Sequence, residues 1–217
     1  MRFRHLLLRI VDVLLPRRRE VSQFDTLPLS VLARESHGTV FHKQVECYAP
    51  LRYASPMVRA CVHASKYYGH ERAIRLLGES LAPHVADILA EQFLFGLYEK
   101  PLIVPIPLHE KRLRERGYNQ AERIARVVAT HASTEALECR SDVLVRVRNT
   151  DAQARLDKKR RRQNMARAFV VAKPEAVRGM DIVLIDDVVT TGATMRAARK
   201  TLEEAGARTV LCIAVAH

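Results

Sequence analysis

Two adjacent carboxylates, Asp186 and Asp187, stand where an apolar run ends and a turn of small residues begins. An ionised aspartate only accepts hydrogen bonds, so two neighbours of this kind suit the paired hydroxyls of a sugar or the water shell of a divalent ion. Many α/β proteins carry carboxylates at a strand end, so the residues that follow the pair decide what it binds.

The turn after the carboxylates suits an anion. It consists of Thr190, Thr191, Gly192, Ala193 and Thr194. Glycine permits backbone dihedrals that other residues resist, and the first N–H groups of the following helix have no partner within that helix. Because the helix dipole adds partial positive charge there, a phosphate would bind well. The carboxylates and the turn together predict a phosphorylated sugar as the ligand.

These residues need a sheet edge to position them, and the rest of the chain predicts one. The predicted strands cover residues 102–107, 142–147, 169–172, 181–186 and 208–217, and the predicted helices cover 57–68, 71–95, 117–133 and 194–205. Continuous apolar strands that alternate with helices predict an α/β fold, with a parallel sheet covered on both faces. Ligands bind such sheets at the carboxyl ends of the strands, where Asp186 and Asp187 lie.

Composition narrows the possible partners. The chain has 217 residues, 48% of them hydrophobic, and a formal charge of +12 with 36 basic and 24 acidic residues. This balance favours partners that carry phosphate, whether nucleic acid, nucleotides or an acidic membrane surface. The four cysteines form no CxxC pair, which argues against a zinc site or a disulfide framework and favours the cytoplasm. No apolar run approaches the roughly 20 residues of a transmembrane helix.

The segment VLIDDVVTTGATM, residues 183–195, resembles the phosphoribosyl pyrophosphate (PRPP) loop of the type I phosphoribosyltransferases. The resemblance implies their fold, in which Asp186 and Asp187 contact the ribose hydroxyls and residues 190–194 wrap the 5′-phosphate. It also implies Mg²⁺, held mainly by pyrophosphate and sugar oxygens. Such a transfer needs no protein nucleophile, because the incoming base attacks the anomeric carbon. In agreement, the nine histidines are dispersed, with no HExxH or Cys-His arrangement.

Three further segments resemble the ComF family, which includes GntX-like proteins. They are VPIPLHEKRLRERGYNQAERIAR (104–126), RNTDAQARL (148–156) and RRRQNMARAF (160–169). ComF proteins are associated with DNA uptake during natural competence. The resemblance therefore implies either a phosphoribosyltransferase with an unknown acceptor or a non-catalytic accessory factor that works with DNA or a competence helicase. ComF proteins commonly carry zinc-ribbon CxxC pairs near the N-terminus, but residues 17–19 here are arginines, so we expect that module to be lost.

Basic residues cluster in two regions that the resemblance connects with the pyrophosphate. Between residues 146 and 167 there are nine lysines and arginines and two aspartates. In phosphoribosyltransferases a flexible segment at this point closes over the pyrophosphate. The positions that the resemblance singles out here are Arg148, Thr150, Gln153, Arg161 and Asn164. The segment could equally grip a nucleic-acid backbone, or serve only as a solvated surface.

Arg112 and Arg116, which precede the GYNQ sequence at residues 117–120, are assigned to the same pyrophosphate side. Exposed arginines beside an ordinary asparagine helix cap are the alternative. Lys66, Tyr67 and Gly69 lie where the predicted helix 57–68 ends, before the next helix begins, and border the site, unless the lysine only packs over an aromatic ring at the helix end.

The predicted organisation has two parts. Residues 1–46 form an amphipathic helix and an irregular connector, and residues 47–217 form the phosphoribosyltransferase-like domain, divided into a helical hood at 47–100 and a core at 101–217. The N-terminal helix could pack on its own core, on a sister subunit in a homo-oligomer, or on a membrane surface. We expect the hood to select the acceptor.

Overall fold

Apolar segments distant in sequence meet in one five-stranded sheet. The computed structural model describes residues 24–42, 46–94, 101–132, 137–148 and 168–217. Its strands are β1 (Ser36–His42), β2 (Cys47–Leu51), β3 (Leu102–Pro105), β4 (Leu144–Arg146), β5 (Phe169–Val171), β6 (Asp181–Val188) and β7 (Thr209–Ala216). Its α-helices are α1 (Pro56–Tyr67), α2 (Glu71–Leu94), α3 (Glu110–Arg116), α4 (Gln120–His131) and α5 (Ala193–Glu204). Short 3-10 helices cover Leu29–Glu35 and Pro174–Ala176.

The strand order in the main sheet is β1-β2-β7-β6-β3. Strands β2, β7, β6 and β3 run parallel to one another, and β1 is antiparallel to β2. Parallel neighbours require a crossover, which α5 supplies between β6 and β7. The α/β fold with a parallel sheet flanked by helices is therefore confirmed.

The strands are apolar throughout because both faces of the sheet are covered. Val183 and Ile185 of β6 join the core cluster formed with α1, α2 and α4. Ile182 and Leu184 of the same strand join the opposite cluster, which includes side chains of α5, β4 and β5. This alternation follows from the period-two geometry of a strand, and it also decides where the carboxylates at its end point.

The helices on the hood side begin and end at recognisable signals. Ser55 caps α1, its side chain accepting from the Val58 N–H, and Pro56 opens the helix. Gly69, at φ +58°, separates α1 from α2, in the gap between the predicted helices at 57–68 and 71–95. Asn119 caps α4, accepting from the Ala121 N–H at 3.1 Å.

Two predictions about the strands were wrong. The predicted strands at 142–147 and 169–172 do not enter the parallel sheet; they shorten to β4 and β5 and pair with each other as a separate antiparallel hairpin. Their apolar pattern matched that of the parallel strands, and only the pairing partner differs. The connector predicted to be irregular contains the 3-10 helix and β1, an edge strand stabilised by pairing with β2.

Strand β2 was not predicted at all, because its short sequence CYAPL includes a proline and lies between β1 and a turn. The N-terminal helix lies outside the described residues. The division at residue 46 stays a prediction, although β1 from the predicted connector belongs to the same sheet as β2.

Candidate functional site

A cavity of about 320 Å³ opens at the carboxyl ends of β3 and β6. Its walls come from α1, the segment after β3, α3, the start of α4, β4 and the end of β6. The lining residues are Lys66, Tyr67, Ile106, Leu108, Arg112, Arg116, Gln120, Arg146, Asp186, Asp187, Val188 and Thr194. Two carboxylates and four basic side chains thus share one opening, as expected for a ligand that carries both hydroxyls and phosphate.

Asp186 and Asp187 point to opposite sides of the sheet because they are consecutive residues of β6. Asp187 is 3% exposed and lies on the hood side, where its Oδ1 is 3.0 Å from Nζ of Lys66 in α1. Its Oδ2 is buried and has no hydrogen-bond partner among the residues that the structure describes. Asp186 accepts the backbone N–H of Asp187 at 2.8 Å. The pair therefore keeps unused acceptor capacity inside the cavity.

Charge and burial compete at this pair. Burial raises the pKa of Asp186, and the charge of Asp187 raises it further, whereas the Asp187 N–H, Lys66 and Arg146 lower it. For Lys66, burial alone would lower the pKa, but the charge and hydrogen bond of Asp187 outweigh burial, so the pKa of Lys66 is raised. The ammonium of Lys66 is therefore charged when it faces the pair.

The turn between β6 and α5 has the backbone predicted for it. Gly192 adopts the left-handed conformation, at φ 67° and ψ 7°, and α5 begins directly after it. Arg196 stabilises the turn because its side chain donates a hydrogen bond to the Thr191 carbonyl at 2.8 Å. Thr194 lines the cavity with the carboxylates. Thr190 and Thr191 are exposed on the same turn, so a phosphate beside it could reach hydroxyls and N–H groups alike.

Residues of the GYNQ sequence and of the helix that follows it form hydrogen bonds that position other segments around the cavity. Tyr118 donates from its hydroxyl to the Ser65 carbonyl at 2.9 Å, and Arg123 donates to the Gly69 carbonyl at 3.1 Å. These bonds tie α4 and the turn before it to the end of α1, the helix that carries Lys66. Asn119 also donates to the Ile106 carbonyl at 3.0 Å, which fixes the segment after β3.

The residues predicted for the pyrophosphate side divide into three groups. Arg112 and Arg116 line the cavity. Arg116 donates to the Gln120 side chain, and its guanidinium lies 5.8 Å from the centre of the Tyr67 ring. Arg148 is exposed and is not among the lining residues. Thr150, Gln153, Arg161 and Asn164 lie outside the described residues.

Arg146 and Gln120 are cavity residues that the sequence did not single out. Arg146 is only 8% exposed and lies 5.8 Å from the centre of the Phe169 ring, across the β4–β5 hairpin. Arg146 lies two residues after the buried Leu144, so the period of a strand could have indicated that Arg146 faces inward too, although not which strand β4 pairs with. Lys66 and Tyr67, which the sequence placed at the border of the site, do line the cavity.

Comparisons with known proteins agree with this architecture. Residues 114–217 match the phosphoribosyl transferase domain family, a range that contains α4, β6, the acidic pair, the turn and β7. The DNA utilization protein YhgH of Salmonella typhimurium is 31% identical over 158 residues, covering 72% of this chain and 65% of that protein. The chain belongs to the ComF family of phosphoribosyltransferase-like proteins.

Two more relatives of this ComF-type chain carry competence in their names. Competence protein F of Haemophilus influenzae is 34% identical over 105 residues, 48% of this chain and 44% of that protein. Competence protein ComFC of Bacillus subtilis is 37% identical over 106 residues, 48% of this chain and 39% of that protein. The chain thus spans less than two thirds of the length of these curated relatives. In the ranges that the structure describes, no helix is both long and apolar enough to cross a bilayer.

Proposed function

We propose that this ComF-family chain binds PRPP, or a ribose phosphate derived from it, in the cavity at the ends of β3 and β6. The observation that carries the proposal is the meeting of the acidic pair with Thr194 of the helix-starting turn and with Arg112, Arg116 and Arg146 in one opening. Carboxylates match the ribose diol, the turn matches the 5′-phosphate, and the arginines match the pyrophosphate.

If transfer takes place, the arginines supply its main electrostatic assistance. The bond between the anomeric carbon and the pyrophosphate oxygen breaks, the acceptor forms the new bond, and positive charge on the guanidinium groups stabilises the departing pyrophosphate. Mg²⁺ would neutralise phosphate charge when bound. The basic segment between residues 146 and 167 stays a predicted cover over the pyrophosphate. At its described ends, the Val147 N–H donates to the Ala168 carbonyl at 2.8 Å, which extends the β4–β5 hairpin that carries Arg146 to the cavity.

Calorimetric titration with PRPP and Mg²⁺ tests the binding. Asp187→Asn and Asp186→Asn are each expected to weaken binding by about 10- to 100-fold, since a hydrogen bond to a charged group contributes about 1.5–3 kcal/mol. Asp181→Asn is the matched control, because it removes a buried carboxylate from the other end of the same strand, where Asp181 pairs with Arg208. Loss of stability without loss of affinity is expected there.

Two results would contradict the proposal: unchanged PRPP affinity in both site variants, or no detectable PRPP binding by the folded parent protein. Product analysis with candidate bases then asks separately whether phosphoribosyl transfer follows binding. A role in competence with DNA as a partner is part of this proposal and is supported by the names of the relatives. The cytoplasmic location and a helicase partner stay predictions from the sequence.

A non-catalytic nucleic-acid function is the second candidate, and a cluster of aromatic rings favours it. The exposed rings of His63, Tyr67 and Tyr68 lie together at the end of α1, with centroids 4.5 Å apart for His63 and Tyr67 and 5.8 Å for His63 and Tyr68, and Tyr67 lines the cavity. Arg116 lies over Tyr67, and all of basic helix α3 is unburied. Aromatic rings beside arginines are typical of surfaces that stack single-stranded bases. In the sequence, no aromatic residue interleaves with the basic segment.

Fluorescence anisotropy with a labelled thymidine oligonucleotide, measured across a salt series, tests this function. Replacing both Tyr67 and Tyr68 by alanine is expected to weaken binding about tenfold or more, because stacking contributes about 1–3 kcal/mol per base. Phe41→Ala is the control, since Phe41 is also exposed but lies on β1. Binding that does not respond to salt would argue against contacts with the phosphate backbone.

A further inference from the structure

Lys66 occupies the place where the acidic pair would meet a cation. Its Nζ lies 3.0 Å from Oδ1 of Asp187, and the two side chains are 25% and 4% exposed. A pair this shielded interacts more strongly than an exposed surface pair, because less water screens the charges. The hood helix therefore supplies a positive charge to the acidic end of β6.

The position of this ammonium is set by contacts beyond Lys66 itself. The preceding residue, Ser65, is fully buried and accepts the Tyr118 hydroxyl through its carbonyl. Gly69, just after the helix, packs so closely that an added Cβ would lie 2.9 Å from the Tyr118 ring. Because Tyr118, just before α4, contacts the end of α1 on both sides of Lys66, the lysine faces the carboxylates as part of the fold.

A divalent ion held by the protein alone does not fit this arrangement. Magnesium requires six oxygen ligands in near-octahedral geometry, and any ion bound to Asp187 would lie within a few ångströms of the Lys66 ammonium. Within the described ranges, no three or more His, Cys, Asp or Glu side chains are grouped as a metal site. Within the part of the chain that the structure describes, the buried Oδ2 of Asp187 lacks a hydrogen-bond partner, so acceptor capacity remains, but the charge of this carboxylate is already balanced by Lys66.

We propose that Lys66 is the resident counter-ion of the acidic pair and keeps free divalent cations out of the cavity, so that such an ion enters only on the oxygens of a phosphorylated ligand. The inference rests on the cavity used by the proposed function. It concerns selectivity: the carboxylates remain available to neutral hydroxyl donors while a second cation is repelled. Lys66 is thus a residue that determines which charged species the site accepts.

Titration of the full chain with Mn²⁺ alone, followed by electron paramagnetic resonance at pH 8, tests this role. The parent protein is expected to bind Mn²⁺ at the pair weakly, and Lys66→Gln at least about tenfold more tightly, because a unit of opposing charge is removed. Lys66→Arg keeps the charge and should behave like the parent. Lys200→Gln is the matched control, since Lys200 is 67% exposed and pairs with Glu204 on α5.

A second substitution locates the effect at the pair. Adding Asp187→Asn to Lys66→Gln should abolish the gain in Mn²⁺ affinity. Circular dichroism melting checks that each variant is folded, and Lys66→Met offers an aliphatic replacement if the glutamine variant unfolds. Equal Mn²⁺ affinity in the parent and in a folded Lys66→Gln or Lys66→Met protein would overturn the proposal, as would a gain that persists after Asp187→Asn.

The experiment contains no PRPP, so its outcome is separate from that of the proposed function. If Mn²⁺ affinity depends on the charge at residue 66 but PRPP does not bind, the counter-ion role of Lys66 is supported and the proposal that the cavity binds PRPP is contradicted. If PRPP binds but Mn²⁺ affinity does not depend on that charge, PRPP binding is supported and the counter-ion role of Lys66 is contradicted.

Discussion

Gly69→Ala is expected to destabilise the protein more than the same change at Gly117. Both glycines have positive φ, +58° at Gly69 and +83° at Gly117, so an alanine is strained at either position. Their surroundings differ. A Cβ at Gly69 would lie 2.9 Å from Cε1 and 3.1 Å from Cζ of Tyr118, whereas a Cβ at Gly117 would meet no heavy atom within 4 Å. The comparison therefore separates backbone strain from steric overlap.

The magnitude follows from these two terms. Left-handed backbone costs an L-residue about 1–2 kcal/mol, partly offset by about 0.4–1 kcal/mol because alanine restricts the unfolded chain. These terms apply equally to Gly69 and Gly117. At Gly69 the Tyr118 ring cannot move aside freely, since its hydroxyl bonds to Ser65 and Arg123 lies 5.3 Å from its centre. Overlap of this kind costs about 1–3 kcal/mol. We expect a loss of about 2–4 kcal/mol at Gly69 and about 1 kcal/mol at Gly117.

Urea denaturation followed by circular dichroism measures both free energies of unfolding. A difference of about 2 kcal/mol corresponds to roughly 4–8 °C in melting temperature for a chain of this size. Repeating Gly69→Ala in a Tyr118→Ala background removes the overlap, so there the cost should fall to that of Gly117→Ala. Equal losses at Gly69 and Gly117 in the parent background would refute the argument that Tyr118 buttresses the end of α1.

Three other measurements test separate parts of the structure. Helix α2 meets α4 at Gly78, where an added Cβ would lie 2.6 Å from Cβ of Val127. Gly78→Ala should therefore lower the free energy of unfolding, measured by urea denaturation, by about 1–3 kcal/mol. A smaller loss would mean that the two helices separate easily. Burial and the neighbouring carboxylate raise the pKa of Asp186 to about 7. Below that pH the protonated acid loses acceptor capacity, so calorimetric affinity for ribose 5-phosphate should rise from pH 6 to pH 8, and Asp186→Asn should remove this part of the dependence. Burial raises the pKa of the Cys61 and Cys212 thiols to about 12. Both thiols should therefore react with Ellman's reagent only after unfolding. Rapid reaction of these thiols in the native protein would contradict their burial.

The sequence by itself determined the parts of the site that are contiguous in the chain. The apolar run, the acidic pair and the glycine turn lie within residues 183–195, and their order alone places the carboxylates at a strand end before a helix start. Local geometry suffices there, because a strand alternates its side chains and a helix begins with unpaired N–H groups wherever it occurs. The same reasoning located β6, α5 and β7 to within two residues at each end.

Only the tertiary structure decided which distant residues face that site. Lys66 reaches Asp187 because Tyr118, just before α4, holds the end of α1. Arg146 reaches the cavity because β4 pairs with β5 instead of joining the parallel sheet. Both outcomes depend on long-range pairing and side-chain packing, and neither leaves a periodic signal in the local sequence. A strand pattern indicates that a segment is extended and buried. Which strand it pairs with depends on the free energy of the whole fold.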